Sequence, residues 1–193
     1  MVLPRLAPIH EWHIVISGFL QHEGRPSGMV ALWRRLLRAR SAPHARVELR
    51  AWNEHWSHLA ELIRGTQADG APPAIRLYGY SWGAGWGCME LARQLQRRGL
   101  RIRGMVLSDP VYRSPLAAFR WLAIAPWPVI EVPANVERVA WFRQTRSRPT
   151  GHDLRAADPR RTHIDPPVWD EASHLYMDEL PAFHEAALRA SRS

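Results

Sequence analysis

Residues 74–83, AIRLYGYSWG, decide the fold of this chain. The largely apolar run at 74–78 is typical of a buried strand, and a helix-like segment follows at 89–95. Between them lies the Gly-x-Ser-x-Gly pattern of residues 79–83. A turn this tight needs neighbours without side chains, and Gly79 and Gly83 meet that need. The pattern in this context predicts a nucleophile elbow, with the hydroxyl of Ser81 exposed at the carboxyl end of a sheet.

Strands and helices alternate on both sides of this stretch. Periodicity predicts strands at 13–17, 47–52, 74–79, 102–107 and 136–142, and helices at 28–40, 55–64, 84–98 and 174–190. Gly99 stands at the C′ position of the third helix. The inward positions of the last helix are expected to be Leu175, Leu180, Phe183 and Leu188. The alternation predicts an α/β fold, a three-layer sandwich with a mostly parallel sheet of about five strands.

Length and composition set the general class. A chain of 193 residues fits a single domain, 1–193, with a core of its own. Charged residues or proline interrupt every apolar run before it reaches the length of a membrane span, and residues 1–10 lack the apolar region of a secretory signal. The single cysteine, Cys88, excludes an internal disulfide. These features favour a cytoplasmic enzyme.

The charge of +8 comes entirely from arginine, since the chain has no lysine. A Schiff-base lysine, a Walker lysine and a Ser-Lys dyad are therefore excluded. The arginines are scattered, and no basic stripe alternates with stacking aromatic residues. The excess charge therefore indicates a solvated surface, and a nucleic-acid partner is not expected.

A serine hydroxyl needs a general base, and the base needs an acid that orients it. In enzymes with this elbow the chain order is serine, acid, histidine. His174 is the preferred base, because it stands at a loop-to-helix junction from which a loop could reach over the edge of the sheet. The other downstream histidines are His152, His163 and His184.

The acid has two main candidates. Asp109 ends the strand after the elbow helix, which puts its carboxylate at the same edge of the sheet as Ser81. The rival is Asp153, which follows the next strand at a less constrained distance. Asp165 and Asp170 lie further on, in proline-rich sequence. Asp109 is preferred, and Asp153 stays open as the alternative.

The oxyanion hole should combine the N–H of the residue after the nucleophile with one from the loop after an earlier strand. These are the backbone N–H groups of Trp82 and Phe19, with Leu20 as the next choice. The glycine-bearing turn at 17–20 follows the first strand and is placed to supply the second donor.

Residues 111–135, between two strands of the catalytic edge, are rich in proline, tryptophan and alanine. This segment could be a lid or an acyl-pocket insertion, and its first half could equally be a crossover helix that packs on the core. Trp86 and Trp127 are candidate pocket residues, which favours an uncharged or lipophilic acyl group. His55-x-x-His58 and His163-x-Asp165 do not have a recognised metal-ligand spacing, so neither a metal nor a cofactor is expected.

The elbow at 79–83, the Gly18-Phe19 turn, Asp109 and His174 together resemble the α/β-hydrolase fold superfamily over nearly the whole chain. In length the chain resembles the minimal, five-stranded esterases and the cutinase-like lipases of that superfamily. It departs from them in having no disulfide. Its preferred acid also comes one strand earlier than in the commoner pattern, as in lipases of the pancreatic type.

The resemblance implies a serine hydrolase that cleaves small carboxylic esters, with apolar acyl groups, through a Ser81-Asp109-His174 triad and an acyl-enzyme. The same triad would serve a thioesterase. A hydrolase scaffold without activity, used to bind an anionic partner, is the alternative from another class. Oligomeric state is left open by the sequence.

Overall fold

The computed structural model describes residues 9–21, 26–39, 44–66, 71–114, 121–125 and 127–192. Its strands, in chain order, are β1 Glu11–Ile16, β2 Ala45–Arg50, β3 Ala74–Tyr80, β4 Gly104–Ser108, β5 Ile130–Val132, β6 Arg138–Gln144, β7 Leu154–Ala156, β8 His163–Ile164 and β9 Val168–Asp170. Its α-helices are α1 Gly28–Ala39, α2 Trp56–Gly65, α3 Cys88–Gln96 and α4 Pro181–Ala190.

Among the described residues, the main sheet has seven strands in the order β2-β1-β3-β4-β6-β8, and β9 also pairs with β6. All of these pairs are parallel. The prediction of a mostly parallel α/β sheet is confirmed, and the estimate of about five strands is wrong. The two strands of this sheet that were missed, β8 and β9, have two and three residues, and β5 and β7, also not predicted, form a separate two-stranded sheet. Strands β8 and β9 are too short to show a hydrophobic period, and both add to the edge of β6.

The core lies on both faces of the sheet, which confirms the three-layer sandwich. Side chains of a strand point alternately to opposite faces, and β3 shows this clearly. Ile75 and Leu77 belong to the cluster under α2 and α3, whereas Tyr78 and Tyr80 belong to the cluster under α1 and α4. The carboxyl end of β3 is thereby fixed from both sides, at the point where the nucleophile follows.

The C-terminal helix differs from its prediction. It begins at Pro181 rather than at 174, and a short 3₁₀ turn covers His174–Tyr176. Proline suits the first turn of a helix, where its missing N–H has no partner to lose. Leu175, expected to point inward, is 75% exposed, so that expectation is wrong, whereas Phe183 and Leu188 are buried as predicted. The unwound segment carries His174 away from the helix and over the sheet.

The helix after the nucleophile begins with a π-helical turn, Gly83–Gly87, which continues into α3. Gly99 has a φ of 71°, which confirms its predicted C′ role. In the predicted insertion at 111–135, residues 115–120 and 126 lie outside the described residues, and the lid stays a prediction. Within the described ranges, no helix has the length and apolar character to cross a membrane.

Candidate active site

Ser81 occupies the strained turn directly after β3. Its φ is 55°, in the left-handed region that is costly for a residue with a side chain. The glycines on either side have no room for one: a Cβ on Gly79 would lie 2.6 Å from Cys88 Sγ, and a Cβ on Gly83 would lie 2.3 Å from the carbonyl oxygen of Ile16. The close packing around the two glycines that the pattern predicts is therefore present. Ser81 is 6% exposed, less open than expected, because the ring of His174 lies against it.

His174 is the histidine that meets Ser81. The Ser81 hydroxyl donates to His174 Nε2, with the two atoms 3.0 Å apart. The backbone of His174 is held at both ends, since its N–H donates to Ser147 Oγ at 2.7 Å and its carbonyl accepts from the Tyr80 hydroxyl at 2.7 Å. Burial and nearby carboxylates raise the pKa of Tyr80, so this hydroxyl stays a donor. The ring is thus fixed by groups from two distant parts of the chain.

Asp109 is the acid that meets His174. Its Oδ2 accepts from His174 Nδ1–H at 2.6 Å and from Gln144 Nε2 at 3.0 Å. The carboxylate is fully buried, and the residue has a φ of 42°. Gly151 packs directly against it, because a Cβ there would lie 2.3 Å from Asp109 Oδ1. The acceptor role of Asp109 fixes the tautomer of His174 that leaves Nε2 free to accept a proton.

The other candidate acids and bases lie elsewhere. Asp153 is exposed and pairs with Arg143. Asp165 pairs with Arg138 and His163. His152 is buried behind the Asp109 turn, where Nδ1 accepts the Tyr112 N–H at 2.9 Å. The remaining candidates also have local roles, since the Asp170 carboxylate accepts the Ala172 N–H and the His184 ring donates to the Asp178 carbonyl.

Four polar residues support this arrangement and were not given a role from the sequence. Gln144 holds Asp109, while Ser147 and Tyr80 hold the backbone of His174. Ser108 donates to the carbonyl of Met177 at 2.6 Å. Tyr80 and Ser108 immediately precede the nucleophile and the acid, so their place at strand ends was a usable signal. The sequence has no comparable signal for Gln144 and Ser147, because their contacts depend on how residues 145–152 fold.

Of the predicted oxyanion donors, Trp82 directly follows the nucleophile and Phe19 lies in the loop after β1. Among the described residues, the backbone N–H of Phe19 and that of Trp82 have no hydrogen-bond partner. The loop that carries Phe19 lies against the nucleophile, since a Cβ on Gly18 would lie 3.1 Å from Ser81 Cβ. Leu20, the second choice, has a φ of 62° and a side chain that is 66% exposed. Their role as oxyanion donors stays a prediction.

An aromatic cluster adjoins the nucleophile. The rings of Phe19 and Trp82 are 4.6 Å apart, and those of Trp52 and Trp82 are 4.9 Å apart. The guanidinium of Arg113 lies 4.8 Å from the ring centres of both Trp52 and Trp86. Such cation–π contacts are each worth about 0.5–1 kcal/mol at exposed sites. The cluster forms a wall of ring surface beside the residue that follows the nucleophile.

The two predicted pocket residues differ in their surroundings. Trp86 lines a cavity of about 300 Å³ together with Gly85, Tyr112 and Arg113. Trp127 is 63% exposed and contacts the ring of Trp121 at 5.6 Å. The residues that line this cavity do not include Ser81, Asp109 or His174, so a substrate-pocket role stays a prediction for both Trp86 and Trp127.

Taken together, the contacts form a chain from Asp109 through His174 to Ser81. Such an arrangement can remove a proton from a serine hydroxyl and turn it into a nucleophile for acyl transfer. Three or more ligating side chains do not converge anywhere in the part of the chain that the structure describes.

Comparison with known proteins defines the class. The family model for the Thioesterase domain matches residues 25–120, a span that includes Ser81 and Asp109. The chain is similar in structure to RedJ, a thioesterase from the prodiginine biosynthetic pathway of Streptomyces coelicolor, with a TM-score of 0.51 and 12% identity over 100% of this chain and 90% of that one. ClbQ, from the colibactin NRPS/PKS pathway, aligns with 94% of this chain and 96% of its own at 10% identity, with a TM-score of 0.47 that is too low to bear on the fold. No curated protein matches.

The chain belongs to the α/β-hydrolase superfamily. Within that superfamily, its similarity in sequence is to the Thioesterase domain, over about half of the chain. The resemblance predicted from the elbow, the Asp109 turn and His174 is thereby confirmed at the level of the superfamily.

Proposed function

We propose that this protein is a serine hydrolase that cleaves acyl thioesters. Ser81 attacks the thioester carbonyl while His174 Nε2 takes its proton, and Asp109 stabilises the imidazolium that forms. His174 then gives the proton to the departing thiolate, which leaves an acyl-enzyme on Ser81. Water, activated by the same ring, releases the carboxylic acid. The observation that carries the proposal is the pair of contacts at 3.0 and 2.6 Å that joins the three side chains.

The thioester is preferred to the carboxylic ester because of the family match. The Thioesterase domain model covers residues 25–120, which include the elbow and the Asp109 turn. The sequence features favoured carboxylic esters first, with thioesters as the alternative, and the match supports that alternative. The chemistry differs only at the leaving group, since a thiol has a pKa near 8.5 and departs more easily than an alkoxide.

The negative charge on the tetrahedral intermediate would be stabilised by the backbone N–H groups of Phe19 and Trp82. Trp82 follows Ser81 in the chain and Phe19 follows Gly18, which packs against Ser81, and neither N–H has another partner among the described residues. Preorganised donors of this kind are the largest single contribution in many acyl-transfer enzymes.

An apolar acyl group is the substrate class that fits the surroundings of Ser81. The rings of Phe19, Trp52 and Trp82 form a continuous wall on the side of the oxyanion donors. An acyl chain lying against this wall would bury apolar surface at about 25 cal/mol per Å². Trp86 and Trp127 are proposed to extend the pocket.

The test uses one acyl group presented as two substrates, an N-acetylcysteamine thioester and the matching oxygen ester. The expected result is turnover of both, with a preference for the thioester that exceeds the ratio of their uncatalysed hydrolysis rates. A fluorophosphonate should label Ser81 and abolish turnover. Ser81→Ala should lose both labelling and turnover, whereas the control Ser191→Ala, at the distant end of the chain, should keep both.

Two outcomes would contradict the proposal. Failure of a folded sample to react with the fluorophosphonate would refute a serine hydrolase and favour the binding scaffold. Labelling of Ser81 with a preference for the oxygen ester would agree with a serine hydrolase but refute the proposal that thioesters are its substrates.

A further inference from the structure

We propose that Gln21 and Asp178 are positioning residues that orient the Phe19 N–H towards the oxyanion and hold it at a fixed position relative to His174. The inference rests on the proposed function, and it adds two residues that do not touch the nucleophile, the base or the acid. It concerns the loop after β1, residues 17–21, here called the β1 loop.

Gln21 forms hydrogen bonds with both backbone groups of Gly18, and the Gly18 carbonyl belongs to the same peptide group as the Phe19 N–H. Its side-chain Oε1 accepts from the N–H of Gly18 at 3.0 Å, and its own backbone N–H donates to the carbonyl of Gly18 at 3.3 Å. A trans peptide points its C=O and its N–H in opposite directions. The bond from the Gln21 backbone N–H to the Gly18 carbonyl therefore turns the Phe19 N–H to the other side of the loop, and the Gln21 side chain holds the preceding peptide group through the Gly18 N–H. That N–H has no partner among the described residues, as an oxyanion donor requires.

Asp178 holds the other end of the Gln21 side chain. Its Oδ2 accepts from Gln21 Nε2 at 2.7 Å and from the backbone N–H of Met29, at the start of α1, at 3.2 Å. Asp178 is 1% exposed, so little water competes for these contacts. Hydrogen bonds to an ionised acceptor are roughly twice as strong as neutral ones. A buried carboxylate with two donors is thus a firm attachment for the β1 loop.

The same short segment carries the base. Asp178 follows His174 by four residues, and the segment between them is tied to the sheet by the Tyr80 hydroxyl on the His174 carbonyl and the Ser108 hydroxyl on the Met177 carbonyl. A displacement of this segment would move His174 and, through Asp178 and Gln21, the Phe19 N–H together. The base and one oxyanion donor are therefore set by one structural unit.

The charge on Asp178 is sensitive to its neighbours. Burial raises its pKa, while the donors on Gln21 and Met29 oppose that rise. The other titratable groups that face it are Glu179 on the same segment, Tyr80 on β3 and His184 on α4, whose ring donates to the Asp178 carbonyl. A second carboxylate in place of the Gln21 amide would have to share a proton with Asp178, because two carboxylates this close do not both ionise.

The first experiment compares Gln21→Ala with the exposed control Gln96→Ala on α3. For Gln21→Ala we expect kcat/KM to fall by about tenfold to a hundredfold, somewhat less than for complete removal of an oxyanion donor, with a smaller change in KM. The affinity for a trifluoromethyl ketone, whose adduct with Ser81 carries an oxyanion, should fall by the same factor. Gln96→Ala should change neither quantity. A merely structural role for Gln21 would lower the melting temperature without this parallel loss.

The second experiment is the pH profile of Gln21→Glu, measured as the ratio of its kcat/KM to that of the wild-type protein. When the introduced carboxyl group and Asp178 share a proton, the hydroxyl of the introduced acid replaces the amide as donor, and its carbonyl oxygen still accepts from Gly18. The ratio should therefore rise as the pH falls, whereas the ratio for Gln21→Ala should stay flat.

Three results would overturn the inference: wild-type kcat/KM in Gln21→Ala, a loss of activity with unchanged ketone affinity, or a flat ratio for Gln21→Glu. If Gln21→Ala does not fold, the Gln21→Glu profile decides alone. Absence of fluorophosphonate labelling in the wild-type protein is a different result, since it would refute the proposed function itself.

Discussion

Ser81 and its two partners are held in place by different physical means. The elbow at 79–83 is set by close packing of backbone on backbone, with Gly79 and Gly83 pressed against the start of α3 and the end of β1. Asp109 and His174 are set by hydrogen bonds from side chains far away in the chain, among them Gln144 and Ser147. We call the second set, residues 108–112, 144–152 and 174–178, the partner region.

Because the constraints differ, mutations in the elbow and in the partner region should have different effects. Steric constraints act at all pH values and leave no intermediate state, because an added methyl group either fits or displaces the backbone. Hydrogen-bonded constraints can be weakened one at a time, and those that include a titratable group depend on pH. Mutations in the elbow should therefore affect folding and activity together, whereas mutations in the partner region can separate them.

Among variants of the partner region, the largest effect is expected for Asp109→Asn. The amide should favour the wrong tautomer of His174, and kcat should fall by about 10⁴-fold with little change in unfolding. The matched control is Asp153→Asn, which removes an exposed carboxylate paired with Arg143 and should leave kcat within about twofold of the wild-type value. Steady-state kinetics and thermal unfolding of both variants provide the comparison. Equal losses in the two variants would show that Asp109 is not the acid.

Gly83→Ala tests the elbow directly. The new Cβ would lie 2.3 Å from the carbonyl oxygen of Ile16 and 2.5 Å from that of Ser17, and neither backbone atom can move without displacing β1. We expect the free energy of unfolding to fall by about 1–3 kcal/mol, and the rate of fluorophosphonate labelling at Ser81 to fall with it.

Gly65→Ala is the matched control, because a Cβ at Gly65, at the end of α2, meets nothing within 4 Å. It should be neutral or slightly stabilising, since alanine favours helix over glycine. Normal stability and normal labelling in Gly83→Ala would show that the elbow accommodates a methyl group at position 83, contrary to the prediction from its packing.

The same contrast explains what the sequence could reveal. The elbow is local: strand, tight turn and helix lie within 74–96, and its two glycines follow from the need for close approach. Asp109 could be predicted because a strand end fixes its position along the sheet edge. His174 could be chosen by chain order, although the helix expected to start there begins at Pro181.

The remaining features of the site depend on long-range contacts without a sequence pattern. Gln144 meets Asp109 across 35 residues, and Gln21 meets Asp178 across 157. Strands β8 and β9 both pair with β6, so the sheet is wider than periodicity predicted. Neither kind of contact can be inferred from a local period, since each depends on the fold already being formed.

The smallest expected effect is an acid-induced loss of stability through His152 in the partner region. Burial lowers its pKa below the ordinary value of 6.5, where Nδ1 accepts the Tyr112 N–H and Nε2 donates to the Ala125 carbonyl. A histidine with a lowered pKa in the folded state contributes stability that is complete above the unfolded value of 6.5 and is lost as the pH falls towards the folded value. The free energy of unfolding should therefore fall as the pH drops below that point because of His152. His13 and His184, whose pKa values burial also lowers, add to this slope in the wild-type protein. In His152→Gln the slope should be shallower by one group, as measured by denaturant unfolding at a series of pH values, and identical slopes would mean that His152 takes up its proton without disturbing the partner region.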